Sequence, residues 1–186
     1  MTEDAGFDTR LSLARAGDRG AAAELYLAYQ PFLLRYLRSQ ERNVAEDLAA
    51  EVWVAAARAL PDFEGDESGF RAWLFTVARR RVIEHRRRGL RRRTDPVEPD
   101  TFDALSGSGD PGDRAASAVD AERAVELMVR HLSADQTEVL LLRVVADLSA
   151  SQVAELMGRT EAWVRLTQHR GLKRLASQMD RPLEMA

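Results

Sequence analysis

The chain has 186 residues, 45% hydrophobic and 31% charged, enough for one domain or two small ones of soluble, globular character. It has no cysteine, and its three histidines (His85, His131 and His169) lie too far apart for a metal-ligand spacing, so disulfides and thiolate metal sites are excluded and no metal or cofactor is expected. No apolar run is long enough to cross a membrane and the acidic N-terminus lacks the apolar centre of a signal peptide, so a reducing, cytoplasmic setting is expected.

The N-terminal residues 1–9 read as a frayed tail and Leu11 to Ala16 as a short first helix. Asp18 to Ser39 is helical in pattern, with Ala22, Leu25, Tyr26, Tyr29, Leu33, Tyr36 and Leu37 on one stripe. Pro31 predicts a kink or a split in that helix. Asn43 and Glu46 have the spacing of a capping box. The helix they open ends at Pro61, with Leu48, Val52, Ala55 and Ala59 inward and Asp47, Glu51 and Arg58 outward. Asp62 to Glu67 is a polar loop carrying Phe63. Ser68 is positioned to cap a third long helix through about Arg88, with Phe70, Trp73, Leu74, Val77, Ala78 and Ile83 on its apolar face.

The net charge of −3 hides a strong asymmetry. Arg79 to Arg93 holds nine arginines against one glutamate, and Thr94 to Glu122 holds eight acids against one arginine. Cations are favourable near a helix C-terminus, but that effect needs one or two of them. The excess points to a polyanion partner. Residues 91–113 are rich in Pro, Gly and acids and poor in apolar side chains, which reads as a flexible acidic linker. Its acidity suits either a plain solubilising tether or a segment that mimics nucleic acid in a basic channel.

Arg114 to His131 resumes a helical pattern with Val119, Ala124, Leu127 and Met128. Ser133 and Gln136 form a second capping-box spacing, opening a helix from Ala134 to Ala146 with Val139, Leu140, Leu142 and Val145 as core. Ser149 to Leu175 then reads as a helix-turn-helix. Ser149 and Gln152 cap a short helix with Val153, Ala154, Leu156 and Met157 inward, Gly158 ends it, and Thr160 caps the next. On that second helix Val164, Leu172 and Leu175 face inward, flanked by Trp163 and Leu166. Arg165, Gln168, His169, Arg170, Lys173 and Arg174 supply donors on its other faces, as a helix inserted in a DNA major groove requires. An ordinary helical hairpin with a solvated basic face is the competing reading. The last residues, Asp180 to Ala186, read as a loose end. The expected fold is therefore all-α: two small helical domains, residues 10–90 and 114–178, joined by the linker. No phosphate loop, nucleophile elbow or metalloprotease motif is present, and no enzyme is expected.

Three blocks together resemble one family. AEDLAAEVWVAA (Ala45 to Ala56), FRAWLFTVARRRVIEHRRR (Phe70 to Arg88) and Leu132 to Leu175 resemble, in order, the conserved motifs of bacterial sigma factors. The short, two-module chain is similar to the extracytoplasmic-function group. The resemblance implies an alternative sigma factor that binds core RNA polymerase and directs promoter recognition, melting and initiation. It assigns Asp47, Leu48, Glu51, Val52 and Trp53 to the β′ clamp helices. It assigns Phe63, Arg79, Arg80, Arg81, Arg86 and Arg87 to the −10 element, where a flipped base and a separated strand need aromatic and cationic contacts. It assigns Arg159, Thr160, Arg165, Gln168, His169, Arg170, Lys173 and Arg174 to the −35 element, the last two as phosphate contacts. The implied partners are the β′ clamp and β flap, promoter DNA and an anti-sigma factor. The chain departs from the pattern at Ala50 (commonly glutamine), Arg80 (asparagine), Gln152 (glutamate) and Trp163 (a small residue). A stand-alone helix-turn-helix regulator is the alternative, and a helical adaptor without a DNA role a third reading.

Overall fold

The computed structural model describes residues 2–94 and 114–179. Among these every element is helical: α1 (Thr2–Arg15), α2 (Arg19–Gln40), α3 (Ala45–Ala59), α4 (Glu67–Thr94), α5 (Arg114–His131), α6 (Ala134–Leu140, continued by a π-helical turn Leu141–Val145), α7 (Ala150–Met157) and α8 (Glu161–Met179). Helices α1 to α4 form one packed group and α5 to α8 a second. Residues 91–94, expected to open the linker, are helical and belong to α4; residues 95–113 lie outside the described residues, as do Asp180 to Ala186 and the side chain of Val119.

The N-terminal stretch is not a frayed tail. From Thr2 it is helix, because Phe7 is 1% exposed and packs on Phe70 with ring centroids 5.6 Å apart. That ring and Leu11 supply the apolar face that docks α1, a tertiary gain that local pattern does not reveal. Helix α2 is not split at Pro31. Proline withholds only its own N–H, and the carbonyl of Leu27 that would receive it lies on the exposed side of the helix. Asp18 caps α2, accepting from the Ala21 N–H at 2.7 Å. The buried stripe starts at Ala21, while Ala22 is exposed and Tyr26 only half covered.

Two expected caps are replaced. A 3₁₀ turn, Arg42–Val44, leads into α3 without a side-chain cap, and Glu46 is instead paired with Arg38 at 2.8 Å. At α4 the cap is Asp66, which accepts from the Gly69 N–H at 2.7 Å, in place of Ser68. Helix α3 turns Ala45, Leu48, Ala49, Val52 and Ala56 into the core; Ala59 is exposed and Ala55 partly covered. Helix α4 buries Phe70, Leu74, Phe75, Ala78 and Val82, and continues past Arg88 to Thr94. Phe75 and Val82 escaped the periodic reading, which assigned one face; α4 is covered on more than one side. Beyond Val82, Arg86, Arg87, Arg88 and Arg91 are exposed.

In the second group both expected capping boxes form. At Ser149 the hydroxyl accepts from Gln152 N–H at 3.1 Å and Gln152 Oε1 accepts from Ser149 N–H at 2.8 Å; Ser133 and Gln136 do the same. Val139, Leu140, Leu141 and Leu142 are fully buried. In α5 it is Val125 that is buried, whereas Ala124 and Leu127 face outward. Gly158 has φ 64 and ψ 41, the left-handed C-terminal cap that the turn requires. A Cβ at Gly171 would lie 3.1 Å from Leu140 Cδ1, so this glycine lets α8 approach α6 closely. Leu172, expected inward, is 48% exposed, since Gly171 and Val164 take the inward positions.

The two groups share one continuous apolar core. Leu33, Tyr36 and Phe75 of the first belong to the same buried cluster as Val139, Leu141 and Leu142 of the second.

Candidate functional site

Three surfaces hold the residues singled out by sequence. The first is α3. Asp47 is exposed and Glu51 partly so, while Leu48 and Val52 are 2% and 0% exposed. Leu48 and Val52 take the inward positions that periodicity gave them and anchor α3, so the clamp role that the resemblance assigns to them has no exposed surface in this arrangement. Trp53 is half-buried. Its indole N–H donates to Gln30 Oε1 at 2.6 Å, and its ring lies 5.2 Å from that of Tyr26. The surface α3 can present is thus acidic, with an aromatic edge. Arg88 of α4 reaches Glu51 at 3.5 Å. The Arg38 guanidinium hydrogen-bonded to Glu46 holds that carboxyl below its ordinary value.

The second surface is α4 with the turn before it. Phe63 is not a free stacking platform. It packs at 5.7 Å on Phe70 and at 5.2 Å on Trp73, a cluster that closes the N-terminal end of α4. Arg80 and Arg87 are exposed. Arg81 pairs with Glu84 at 2.8 Å, and Arg86 pairs with Glu41 at 2.5 Å and donates to the Gln40 carbonyl at 3.0 Å. Such exposed pairs are worth little and exchange readily for another anion. Arg79 differs. Its Nε donates to Glu138 Oε1 at 3.0 Å, with the two side chains 27% and 13% exposed. Tyr36, fully buried, donates its hydroxyl to the same oxygen at 2.9 Å; burial first, then the Glu138 charge, pushes its phenol well above the ordinary range. Tyr29 is raised likewise, by burial and then by its hydrogen bond to Glu67.

The third surface is α8. Arg165, His169, Arg170, Lys173 and Arg174 are exposed along it. Arg165 is tied by an exposed bond to Glu161 at 2.7 Å. Gln168 is partly buried and accepts from Arg143 at 3.1 Å, which engages its carbonyl oxygen within the domain. Arg143 also donates to the Leu148 carbonyl, pinning the turn before α7. Thr160 spends its hydroxyl on the Trp163 N–H at 3.2 Å, so it positions the helix. Arg159 lies over the Trp163 ring at 5.1 Å, a cation–π contact that gives the bulky tryptophan a place on the turn. Among the described residues no cluster of His, Asp and Glu is arranged to hold a metal ion, and no helix is long and apolar enough to cross a membrane.

Sequence reasoning missed Glu138 as the partner of Tyr36 and Arg79, and Asp147, which pairs with Arg71 at 2.8 Å. Glu138 carries no local signal: it is one acid in a capped helix. Its role comes from the packing of the second helical group on the first.

Comparison with known proteins accounts for this layout. The family described as "Sigma-70 region 2" matches residues 25–93, and "Sigma-70, region 4" matches residues 122–175. The chain is 36% identical over 180 residues to the ECF RNA polymerase sigma factor SigD of Mycobacterium tuberculosis, covering 92% of this chain and 83% of the relative. The chain belongs to the sigma-70 family. Its relatives set it among the extracytoplasmic-function (ECF) sigma factors. Another is the ECF sigma factor ShbA of Streptomyces griseus, 33% identical over 168 residues, or 86% of this chain and 87% of that one. Among solved structures, the sigma factor RpoE of Bartonella quintana, in complex with the anti-sigma factor NepR, aligns with a TM-score of 0.59 and 25% identity over 86% of this chain and 98% of that chain. CnrH, in complex with the cytosolic domain of CnrY, aligns with a TM-score of 0.59 at 21% identity over 92% of this chain and 96% of that chain, a likeness of fold. This sigma factor thus carries the region 2 match on α2 to α4 and the region 4 match on α5 to α8. Sigma factors act in transcription initiation and are not enzymes.

Proposed function

We propose that this ECF sigma factor recruits core RNA polymerase through α3 and places α4 and α8 on the −10 and −35 promoter elements. The observation that carries the reading is the ordered pair of region matches, with a helix-turn-helix whose second helix exposes Arg165, His169, Arg170, Lys173 and Arg174. On α3 the groups available to the β′ clamp helices are Asp47, Glu51 and the edge of Trp53. On α4, Arg80 and Arg87 are ready for the phosphate backbone, and Arg81 and Arg86 need only exchange an exposed carboxylate for a phosphate. Arg79 and Phe63 become available only if their present contacts open. On α8, Arg165, His169 and Arg170 are the base or phosphate contacts, and Lys173 and Arg174 grip phosphates. The region 4 group also meets the β flap.

The working units are residues 10–90 and 114–178, and the acidic residues between them lie along basic polymerase surfaces otherwise used by nucleic acid. An anti-sigma factor is a further partner, since the similar sigma factor RpoE is seen in complex with the anti-sigma factor NepR. The site of action is the cytoplasm. The stand-alone regulator is not favoured, because it leaves the region 2 match without a purpose.

The test is binding. Fluorescently labelled full-length protein is titrated with bacterial core polymerase, and Asp47→Ala and Glu51→Ala are compared with Arg58→Ala on the same helix. Weakening at the first two positions alone supports the assignment of α3, and equal binding by all variants refutes it.

A further inference from the structure

The turn between α7 and α8 brings two side chains together, Arg159 and Trp163. Trp163 stands where a small residue is common in the family motif. Its ring is partly buried and packs against the core, and the Arg159 guanidinium lies over it, 5.1 Å from the ring centroid. The backbone on either side of the pair is fixed as well. Gly158 is left-handed, and the Arg159 N–H donates to the Ala154 carbonyl at 2.8 Å. The Trp163 N–H donates to Thr160 Oγ1 at 3.2 Å. Arg159 is thus held at both ends, at its backbone by the turn and at its guanidinium by the ring.

This hold leaves its donors available. A contact with the face of a ring uses none of the guanidinium N–H groups. The Arg159 side chain is exposed, and among the described residues it makes no ion pair and no hydrogen bond. By contrast Arg165 is paired with Glu161, and Gln168 is engaged by Arg143. A free arginine gives up rotamer freedom when it binds, and one already held loses less.

A reading helix meets base edges in the major groove with its N-terminal end, which is the end that this turn leads into. A phosphate needs only a nearby cation. A planar fork held in one direction suits the paired acceptors O6 and N7 of guanine. We propose that Trp163 is a positioning residue that holds Arg159 as a guanine reader for the −35 element. The inference rests on the promoter reading above and adds to it a base-specific contact made from the turn before α8.

The test is a selection. Holoenzyme, made from the full-length protein and bacterial core polymerase, is given double-stranded DNA randomised across the −35 region. Wild type enriches a guanine, preferred over adenine at that position by about tenfold, the scale of one bidentate contact. The preference disappears in Arg159→Ala and in Arg159→Lys, which keeps the charge but not the fork. Trp163→Leu keeps apolar bulk without a ring face, and its preference falls roughly two- to fivefold, the scale of an exposed cation–π contact. Trp163→Phe keeps the ring and the preference. Replacing the guanine by 7-deazaguanine, which lacks the N7 acceptor, weakens binding by wild type and not by Arg159→Ala. The salt slope of Arg159→Ala equals that of wild type, because no phosphate contact is lost. An equal loss across all sequences, with the salt slope reduced by about 1, makes Arg159 a phosphate contact and overturns the proposal. A preference in Trp163→Leu equal to wild type, or one lost alike in Trp163→Leu and Trp163→Phe with a lowered thermal midpoint, reduces Trp163 to packing and overturns its role. A −35 sequence that Arg165→Ala with Arg170→Ala erases but Arg159→Ala leaves intact overturns this inference alone. Wild-type holoenzyme that enriches no −35 sequence overturns the promoter reading itself.

Discussion

Substituting Gly158 isolates one backbone requirement of the helix-turn-helix. Its φ of 64 and ψ of 41 put it in the left-handed region, its N–H reaches the carbonyls of Ala154 and Glu155, and the Arg159 N–H reaches Ala154 at 2.8 Å. An added Cβ would meet nothing within 4 Å, so the cost of Gly158→Ala is one of backbone conformation and not of packing. An L-residue in this region costs about 1–2 kcal/mol, and the less flexible unfolded chain returns about 0.4–1 kcal/mol, leaving a net loss of about 1 kcal/mol. For a chain of this size that lowers the thermal midpoint by roughly 2–4 °C. Asparagine visits the left-handed region more easily, so Gly158→Asn loses less. The assay is thermal and urea unfolding of full-length variants followed by far-ultraviolet circular dichroism. An alanine variant as stable as wild type, or an asparagine variant worse than alanine, would refute the reasoning.

Burial separates neighbours on α3. Leu48→Ala empties a core position 2% exposed and costs about 2–5 kcal/mol, whereas Asp47→Ala stays within about 0.5 kcal/mol in stability and loses polymerase binding; urea unfolding and a core titration read the two. Lys173→Ala and Arg174→Ala weaken binding to promoter fragments by holoenzyme roughly equally across sequences and each reduce the salt slope by about 1, measured as affinity against salt concentration. The depressed Glu46 carboxyl contributes stability above its ordinary value of 4.5, and that contribution is lost as pH falls through the lower folded value. Because the pair with Arg38 is largely exposed, the effect is small and fades with salt; unfolding of Glu46→Gln across acid pH, compared with wild type, shows a shallower loss.

What could be read from the sequence followed the range of the interaction. Ser133 with Gln136, and Ser149 with Gln152, satisfy donors within one helical turn, and both boxes form where their spacing puts them. Gly158 needed only its own backbone freedom. Asn43 with Glu46 has the same spacing as the boxes that form, but Arg38 lies within reach of Glu46 and takes the carboxylate. The helix over residues 2–10 depends on Phe7 meeting Phe70, sixty-three positions away, and periodicity over a short acidic stretch carries no trace of that. The same holds between the two helical groups. Nothing near Glu138 announces that it will receive Tyr36 from 102 positions away and Arg79 from 59. The exposed cations of α8 and the Thr160 cap were legible because each is local to one helix, while the partial burial of Gln168 depends on Arg143, twenty-five positions away. For α3 the periodicity already divided Leu48 and Val52, inward, from Asp47 and Glu51, outward, and only Ala59, placed inward at the helix end, is exposed instead.

The most direct test of the central claim is run-off transcription from genomic fragments with bacterial core polymerase, with and without the protein. The account predicts discrete transcripts that require both components, start downstream of two shared sequence elements, and disappear with Arg165→Ala combined with Arg170→Ala. Fragments retained by the protein alone, with no new transcript and no binding to core polymerase, would contradict it.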